Sequence, residues 1–194
     1  MASKKESTLL NMVLTLLIIS VVSAGALGYV YEITKKPIEE ASLKKELQAI
    51  KEVVPPFDNN PFDEKFEMEA YDGSGKIEVY PAKKGGEIVG YAVKTFTDKG
   101  FSGHIDIMVG FLPDGVIENT KVLAHSETPG LGSKMTSEKF KSQFHGFNPA
   151  EKKLIVKKDG GDVDAITAAT ISSRAFCDAL DRAYKTLQKG GKIK

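Results

Sequence analysis

The sequence is poor in several residues that mark common protein classes. It has no Trp, one Cys and three His among 194 residues. The single thiol, Cys177, cannot form an internal disulfide, and one Cys is too few for a structural zinc site. The 27 basic and 26 acidic side chains nearly cancel, so the basic excess typical of nucleic-acid binding is missing. The length allows one globular domain and little more, which excludes a large multidomain enzyme.

Charged residues are also missing from a long segment near the amino terminus. About 25 residues between Glu6 and Glu32 carry no charge, whereas roughly 20 suffice to cross a bilayer as a helix. We therefore predict a membrane span from Ser7 to Tyr31. A cleaved signal peptide is the alternative, because small residues at 24–26 resemble a cleavage site.

The charges flanking this segment bear on its orientation. Lys4 and Lys5 favour a cytoplasmic amino terminus, but Lys35 and Lys36 on the other side weaken the asymmetry.

The remaining chain has the pattern of an α+β domain with a mainly antiparallel sheet and packed helices. Apolar residues at near-helical spacing predict that the helix continues past Pro37 as an amphipathic stalk. The expected division is a transmembrane anchor at 1–34, a stalk and linker at 35–72 and a ligand-binding domain at 73–194. Alternating patterns and tight turns predict the secondary structure. The predicted strands are 76–80, 88–96, 104–109, 116–123 and 153–157, and the predicted helices are 137–144 and 172–188.

The final predicted helix has one apolar stripe that should pack on the sheet. Cys177 borders this stripe and is interpreted as a packed side chain. Ser172 or Ser173 is predicted to cap the first turn of the helix, because a hydroxyl oxygen there can accept from a free backbone N–H.

Two short stretches carry candidate chemistry. The first, at 125–134, contains Glu-Thr-Pro-Gly-Leu-Gly directly after a predicted strand, and its glycines allow a loop to approach a ligand closely. The second, at 164–173, reads Asp-Ala-Ile-Thr-Ala-Ala-Thr-Ile-Ser-Ser at the start of the last helix, where an anion would be stabilised. Taken singly, the first stretch is better explained as a plain turn and the second as a simple helix cap.

Together, the two stretches resemble the hallmark motifs of FMN-binding domains. The second is similar to their flavinylation motif, usually written with Ser-Gly-Ala-Thr at its centre, although Thr167 and Ala168 stand here in place of Ser-Gly. With the anchor and the final helix, the chain resembles the G subunits of Rnf ion-translocating ferredoxin:NAD oxidoreductases. The related NqrC subunits of sodium-pumping quinone reductases are the alternative.

The resemblance implies a covalent cofactor. In this family FMN is joined by a phosphoester to the last threonine of the motif, which is Thr170 here. A separate flavin transferase installs it from FAD. The resemblance places further residues around the ring or the phosphate: Glu127, Thr128, Gly130, Leu131, Gly132, Lys134, Thr167, Ala168, Ala169 and Ser173. It also places residues 101–103 in the flavin cavity.

The resemblance further implies an electron carrier within a membrane complex. No catalytic residue and no metal ligand is expected in this chain, because the flavin itself takes up and releases electrons. Its expected partners are the other membrane subunits and, during maturation, the flavin transferase, with no nucleic acid. The flavin domain is expected on the extracytoplasmic side of the membrane, and the coupling ion, Na⁺ or H⁺, stays open. A membrane-anchored assembly module without redox activity is the competing hypothesis.

Overall fold

The computed structural model describes residues 8–193. Helix α1, Leu9–Val53, is long and apolar enough to cross a membrane. It continues through Pro37 and ends just before Pro55 and Pro56, as the sequence predicts. The predicted start of the span at Ser7 and the orienting Lys4 and Lys5 lie outside the described residues.

The chain forms two compact units, Met1–Lys45 and Glu46–Lys194. The predicted boundaries at residues 34 and 72 stay predictions. The second unit includes the last turns of α1 in addition to all of the sheet.

Five antiparallel strands form one sheet in the order β1-β2-β3-β4-β5. This confirms the antiparallel α+β prediction and four of its strands. The fifth, β1, lies in the segment assigned to the stalk and linker and was not predicted. The strand bounds are Phe66–Glu69 for β1, Lys76–Lys84 for β2, Glu87–Gly100 for β3, Gly103–Phe111 for β4 and Ile117–His125 for β5.

Both faces of the sheet are covered by buried side chains. Successive residues of a strand point to opposite faces, so neighbouring residues belong to different cores. On β4, Ile107 and Val109 belong to the larger core, and Met108 between them belongs to the smaller one. The smaller core contains Ile50 and Val53 from the end of α1. These contacts join the last turns of α1 to the sheet within the second unit.

The larger core is closed by helix α3, Thr170–Lys189, which packs mainly on β3. The helix predicted at 137–144 is present as α2, Glu138–Lys141, followed by a 3₁₀ turn at Ser142–Phe144. Cys177 is buried on α3, and burial raises the pKa of its thiol to about 12. The thiol therefore stays protonated at neutral pH, as expected of a packed side chain.

The strand predicted at 153–157 is wrong. The segment makes only a single bridge, between Val156 and Val163, and continues into a 3₁₀ turn at Lys157–Asp159. A Cβ on Gly161 would lie 2.0 Å from the carbonyl oxygen of Ile155. The chain thus folds back closely on itself here, and its backbone groups pair within this loop instead of with the sheet.

One glycine allows the end of α1 to approach the sheet, and it supplies a stability prediction. A Cβ on Gly110 would lie 1.7 Å from the carbonyl oxygen of Val53, and a backbone atom cannot move aside as a side chain can. We expect Gly110→Ala to lower the free energy of unfolding by about 3 kcal/mol or more, measured by urea unfolding in detergent.

Gly86→Ala is the matched control for this variant. Gly86 has a positive φ of 86°, but a Cβ added to it would have no atom within 4 Å, so alanine there adds backbone strain without overlap. It should cost about 1 kcal/mol. Equal losses in the two variants would contradict the close approach of Val53 to Gly110.

Candidate functional site

The first motif forms a compact loop after β5. The backbone N–H groups of Leu131 and Ser133 both donate to the carbonyl oxygen of Thr128, at 3.2 and 3.3 Å. Gly130 has a φ of 76°, and its N–H donates to Ser133 Oγ at 2.9 Å. This turn fixes the positions of Thr128 and Leu131 at the loop surface.

The Glu127 side chain is buried and ties three segments together. Its Oε1 accepts from the backbone N–H of Ser102 at 3.0 Å, and its Oε2 accepts from Ser172 Oγ at 2.6 Å. Glycines flank it on two sides: a Cβ on Gly132 would lie 2.2 Å from Oε2, and one on Gly100 would lie 2.7 Å from Oε1. The carboxylate therefore joins the β3–β4 turn, the loop and the start of α3.

The second motif begins helix α3 at Thr170, and the predicted serine cap is wrong. The N-cap residue is Ala169, which has no side-chain oxygen to offer the first turn. Ser172 and Ser173 lie inside the helix: Ser172 donates to Glu127, while Ser173 Oγ accepts from Ile166 N–H and donates to the Ala169 carbonyl. The first N–H groups of an α-helix have no intrahelical acceptor, so these donors are available to an anion.

Ala168 adopts a strained backbone conformation directly before the helix. Its φ is +61°, the left-handed region, which no other non-glycine residue adopts within residues 8–193. This conformation costs a non-glycine residue about 1–2 kcal/mol. The glycine common at this position of the family motif thus matches the backbone geometry found here.

The two motifs meet in one cavity of about 330 Å³, a size within the usual range of small-molecule sites. Three large apolar side chains at this cavity are exposed, namely Phe101, Leu131 and Ile171, at 66%, 41% and 47%. Thr170 lies in the wall at the helix start. The complete lining is Phe101, Glu127, Thr128, Leu131, Gly132, Ala168, Ala169, Thr170, Ile171 and Ser172.

The structure brings most of the expected site residues to this cavity, but not all of them. Lys134 and Thr167 line a separate cavity of about 450 Å³ beside α2. Ser173 is fully buried and serves the local backbone. Gly130 shapes the loop but does not line the cavity. Among the described residues, the wall contains no Lys, Arg or His.

Sequence reasoning assigned no ligand role to Ile171 and treated Ser172 as a cap. Both residues lie within the second motif, and this position indicates that they are close to the ligand. The hydrogen bond from Ser172 to Glu127 could not be inferred from the sequence, because the two residues are far apart in the chain and neither motif indicates a contact with the other.

The left-handed conformation of Ala168 leads to a prediction. We expect Ala168→Val to lower the free energy of unfolding by about 2 kcal/mol, since a β-branched residue is strongly disfavoured at positive φ. Ala168→Gly should be neutral or slightly stabilising. Urea unfolding measures both, with Ala165→Val as a control at a neighbouring alanine outside the left-handed region. An Ala168→Val chain as stable as the Ala165→Val control would contradict the assigned conformation.

Comparison with known proteins finds a matching family and a structural neighbour. Residues 100–185 match the FMN-binding domain family, a range that contains both motifs. A solved structure of the C subunit of the Na⁺-translocating NADH-quinone reductase from Parabacteroides distasonis is 19% identical, with a TM-score of 0.47, and the match covers 73% of this chain and 78% of that one.

Full-length relatives match more of the chain. The G subunit of the Na⁺-translocating ferredoxin:NAD⁺ oxidoreductase complex of Acetobacterium woodii is 34% identical, covering 90% of this chain and 89% of that protein. The G subunit of the ion-translocating oxidoreductase complex of Methanosarcina acetivorans is 34% identical over 98% of this chain and 100% of its own length. The chain therefore belongs to the family of G subunits of ion-translocating oxidoreductase complexes, whose FMN-binding domain it contains.

Proposed function

We propose that this chain is the membrane-anchored subunit of an Rnf-type complex that relays electrons in ferredoxin:NAD oxidoreduction through FMN bound covalently to Thr170. Family membership makes it a redox subunit of an oxidoreductase complex. One observation carries the proposal: two motifs distant in sequence form a single cavity, with Thr170 at its helical edge.

The residues of the cavity fit FMN. Phe101, Leu131 and Ile171 offer apolar surface to a planar ring system, and their exposure in the chain alone leaves that surface free for contact. The uncapped start of α3 offers N–H donors and the positive end of the helix dipole to a phosphate. An apolar area and an anion site thus adjoin each other, as the two ends of FMN require.

Attachment to Thr170 would be a phosphoryl transfer carried out by the flavin transferase. The Thr170 hydroxyl oxygen would bond to the phosphorus on the FMN side of FAD, the pyrophosphate P–O bond would break, and AMP would leave. The hydroxyl proton passes to a base of the transferase. The chain contributes the nucleophile and its position at the start of a helix.

After attachment, the residues of the chain need only orient the cofactor. A covalent bond keeps the local concentration of the ring permanently high, so affinity is no longer required of the contacts. When bound, FMN supplies the redox chemistry by accepting and releasing electrons. Glu127 holds Ser172 and also Ser102, the neighbour of Phe101, in place and thereby fixes two parts of the cavity wall.

The anchor helix would place this domain beside the other Rnf membrane subunits, in a complex that moves Na⁺ or H⁺. We propose that the domain faces the extracytoplasmic side. A phosphatase fused after Lys194 should be active and a cytoplasm-dependent fluorescent protein inactive, and the reverse pattern would contradict this topology.

Co-expression tests the function itself. The full chain should become yellow only when made with a flavin transferase, and its fluorescence should survive denaturing electrophoresis. The matured chain should also undergo reversible reduction in a potentiometric titration. A colourless chain made beside a transferase that modifies a known substrate would favour the assembly-module hypothesis instead.

A further inference from the structure

The proposed flavin site has no positively charged side chain among its described wall residues. A flavin phosphoester on Thr170 carries a negative charge, and Glu127 places a carboxylate in the same wall. The described wall residues include no Lys, Arg or His. Helix N–H groups favour an anion, but a side-chain cation adds a stronger, charge-assisted hydrogen bond. A cation from outside the present wall would complete the site.

Arg174 is placed to supply this charge. It lies on α3 four residues after Thr170, so the two side chains share one face of the helix, with about 5–6 Å between their Cβ atoms. Helical side chains lean toward the helix amino terminus, so a residue covers the turn that precedes it. The planar guanidinium fork also matches two phosphate oxygens.

In the chain without flavin, Arg174 is paired with Asp159. Its Nε donates to Oδ2 at 2.6 Å and its Nη2 donates to Oδ1 at 2.7 Å. Hydrogen bonds from Arg174 also hold the pKa of Asp159 below its ordinary value. Both side chains are partly exposed, at 49% and 34%, so the guanidinium stays accessible to another acceptor, while the two parallel bonds make this pair strong enough for its loss to be measurable.

The neighbouring lysines are less well placed than Arg174 to contact a phosphate on Thr170. Lys134 and Lys139 line the separate cavity beside α2. Lys157 pairs with Asp164 at 2.8 Å. Arg174 also lines another cavity, of about 430 Å³, but it alone among these cations is on the same helix face as Thr170.

We propose that Arg174 exchanges Asp159 for the flavin phosphate when Thr170 is modified, and so binds the cofactor. This inference rests on the proposed function. The exchange makes and breaks only hydrogen bonds and ion pairs, and it leaves Asp159 free in the flavinylated chain. Asp159 thus serves as the partner of the guanidinium before maturation.

A stability cycle on the full chain in detergent tests the exchange without relying on electron transfer. Wild type, Asp159→Asn, Arg174→Gln and the double variant are compared as flavin-free and as flavinylated protein by thermal unfolding. Before modification, each single variant should lower the Tm, and the double variant should lower it by less than the sum. After modification, Asp159→Asn should match wild type. An equal drop in Tm for Asp159→Asn in both forms would overturn the exchange.

Phosphorus NMR supplies a second readout. The phosphoester resonance of flavinylated Arg174→Gln should shift from that of wild type, whereas Lys134→Gln should leave it unchanged. A resonance that moves in Lys134→Gln and stays fixed in Arg174→Gln would assign the contact to Lys134. If Arg174→Gln resists flavinylation, the comparison of Asp159→Asn with wild type still decides. A wild-type chain that never gains flavin would instead refute the proposed function.

Discussion

We expect a Thr170→Ala chain, produced beside a competent flavin transferase, to carry no covalent flavin at all. The expected loss is complete, because the substitution removes the oxygen that forms the phosphoester, whereas changes elsewhere in the cavity only alter its shape. The chain should still fold, since Thr170 lies at the cavity wall and is only half-buried. In-gel fluorescence, normalised to the amount of protein, measures the effect.

Thr167→Ala and Thr170→Ser are the matched controls. Thr167 lies in the same motif but lines the cavity beside α2, so its removal should leave covalent flavin in place. Thr170→Ser keeps a hydroxyl at the same helical position and should retain some modification. Covalent flavin on Thr170→Ala, or its loss only in Thr167→Ala, would move the attachment site.

After the loss of flavin, the largest effect expected within the site itself is at Gly132. A Cβ there would lie 2.2 Å from Glu127 Oε2, 2.5 Å from Ser172 Oγ and 2.9 Å from Glu127 Cβ. Gly132→Ala should therefore break the bond between Glu127 and Ser172 and lower the free energy of unfolding by about 1–3 kcal/mol. Urea unfolding of the flavin-free chain measures this cost.

A double-mutant cycle separates overlap from other causes. Ser172→Ala removes the hydrogen bond without adding a methyl group and should cost less than Gly132→Ala. Removing the Glu127 side chain makes room for the new methyl group, so Glu127→Ala with Gly132→Ala should be more stable than the sum of the two losses predicts. Strict additivity would show that Gly132 and Glu127 do not touch.

Local patterns in the sequence predicted much of the fold and of the site, and long-range contacts account for most of what they missed. Four strands and both helices were found because alternation and helical spacing are local signals. The four-residue β1 also alternates, from Phe66 to Glu69, but it lies in a segment interpreted as a linker. The strand predicted at 153–157 failed because Gly161 allows the chain to fold back over Ile155.

In the candidate site, too, local motifs could be predicted from the sequence and long-range contacts could not. The resemblance of the motifs selected Thr170 and the 127–132 loop, and the fold places both in one cavity. Lys134, the last residue of the first stretch, was expected near the phosphate because its charge could balance that of the phosphate. It lies in the 3₁₀ turn at Gly132–Thr136 and lines a different cavity. The role of Glu127 as a tie between segments depends on a tertiary contact that no spacing rule contains.

Fragmentation mass spectrometry of the matured wild-type chain tests the central claim most directly. Proteolytic peptides covering residues 164–174 should carry the mass of one FMN less water, and fragment ions should localise it to Thr170. An unmodified peptide from a chain matured with an active transferase, or a flavin localised to any other side chain, would contradict the account.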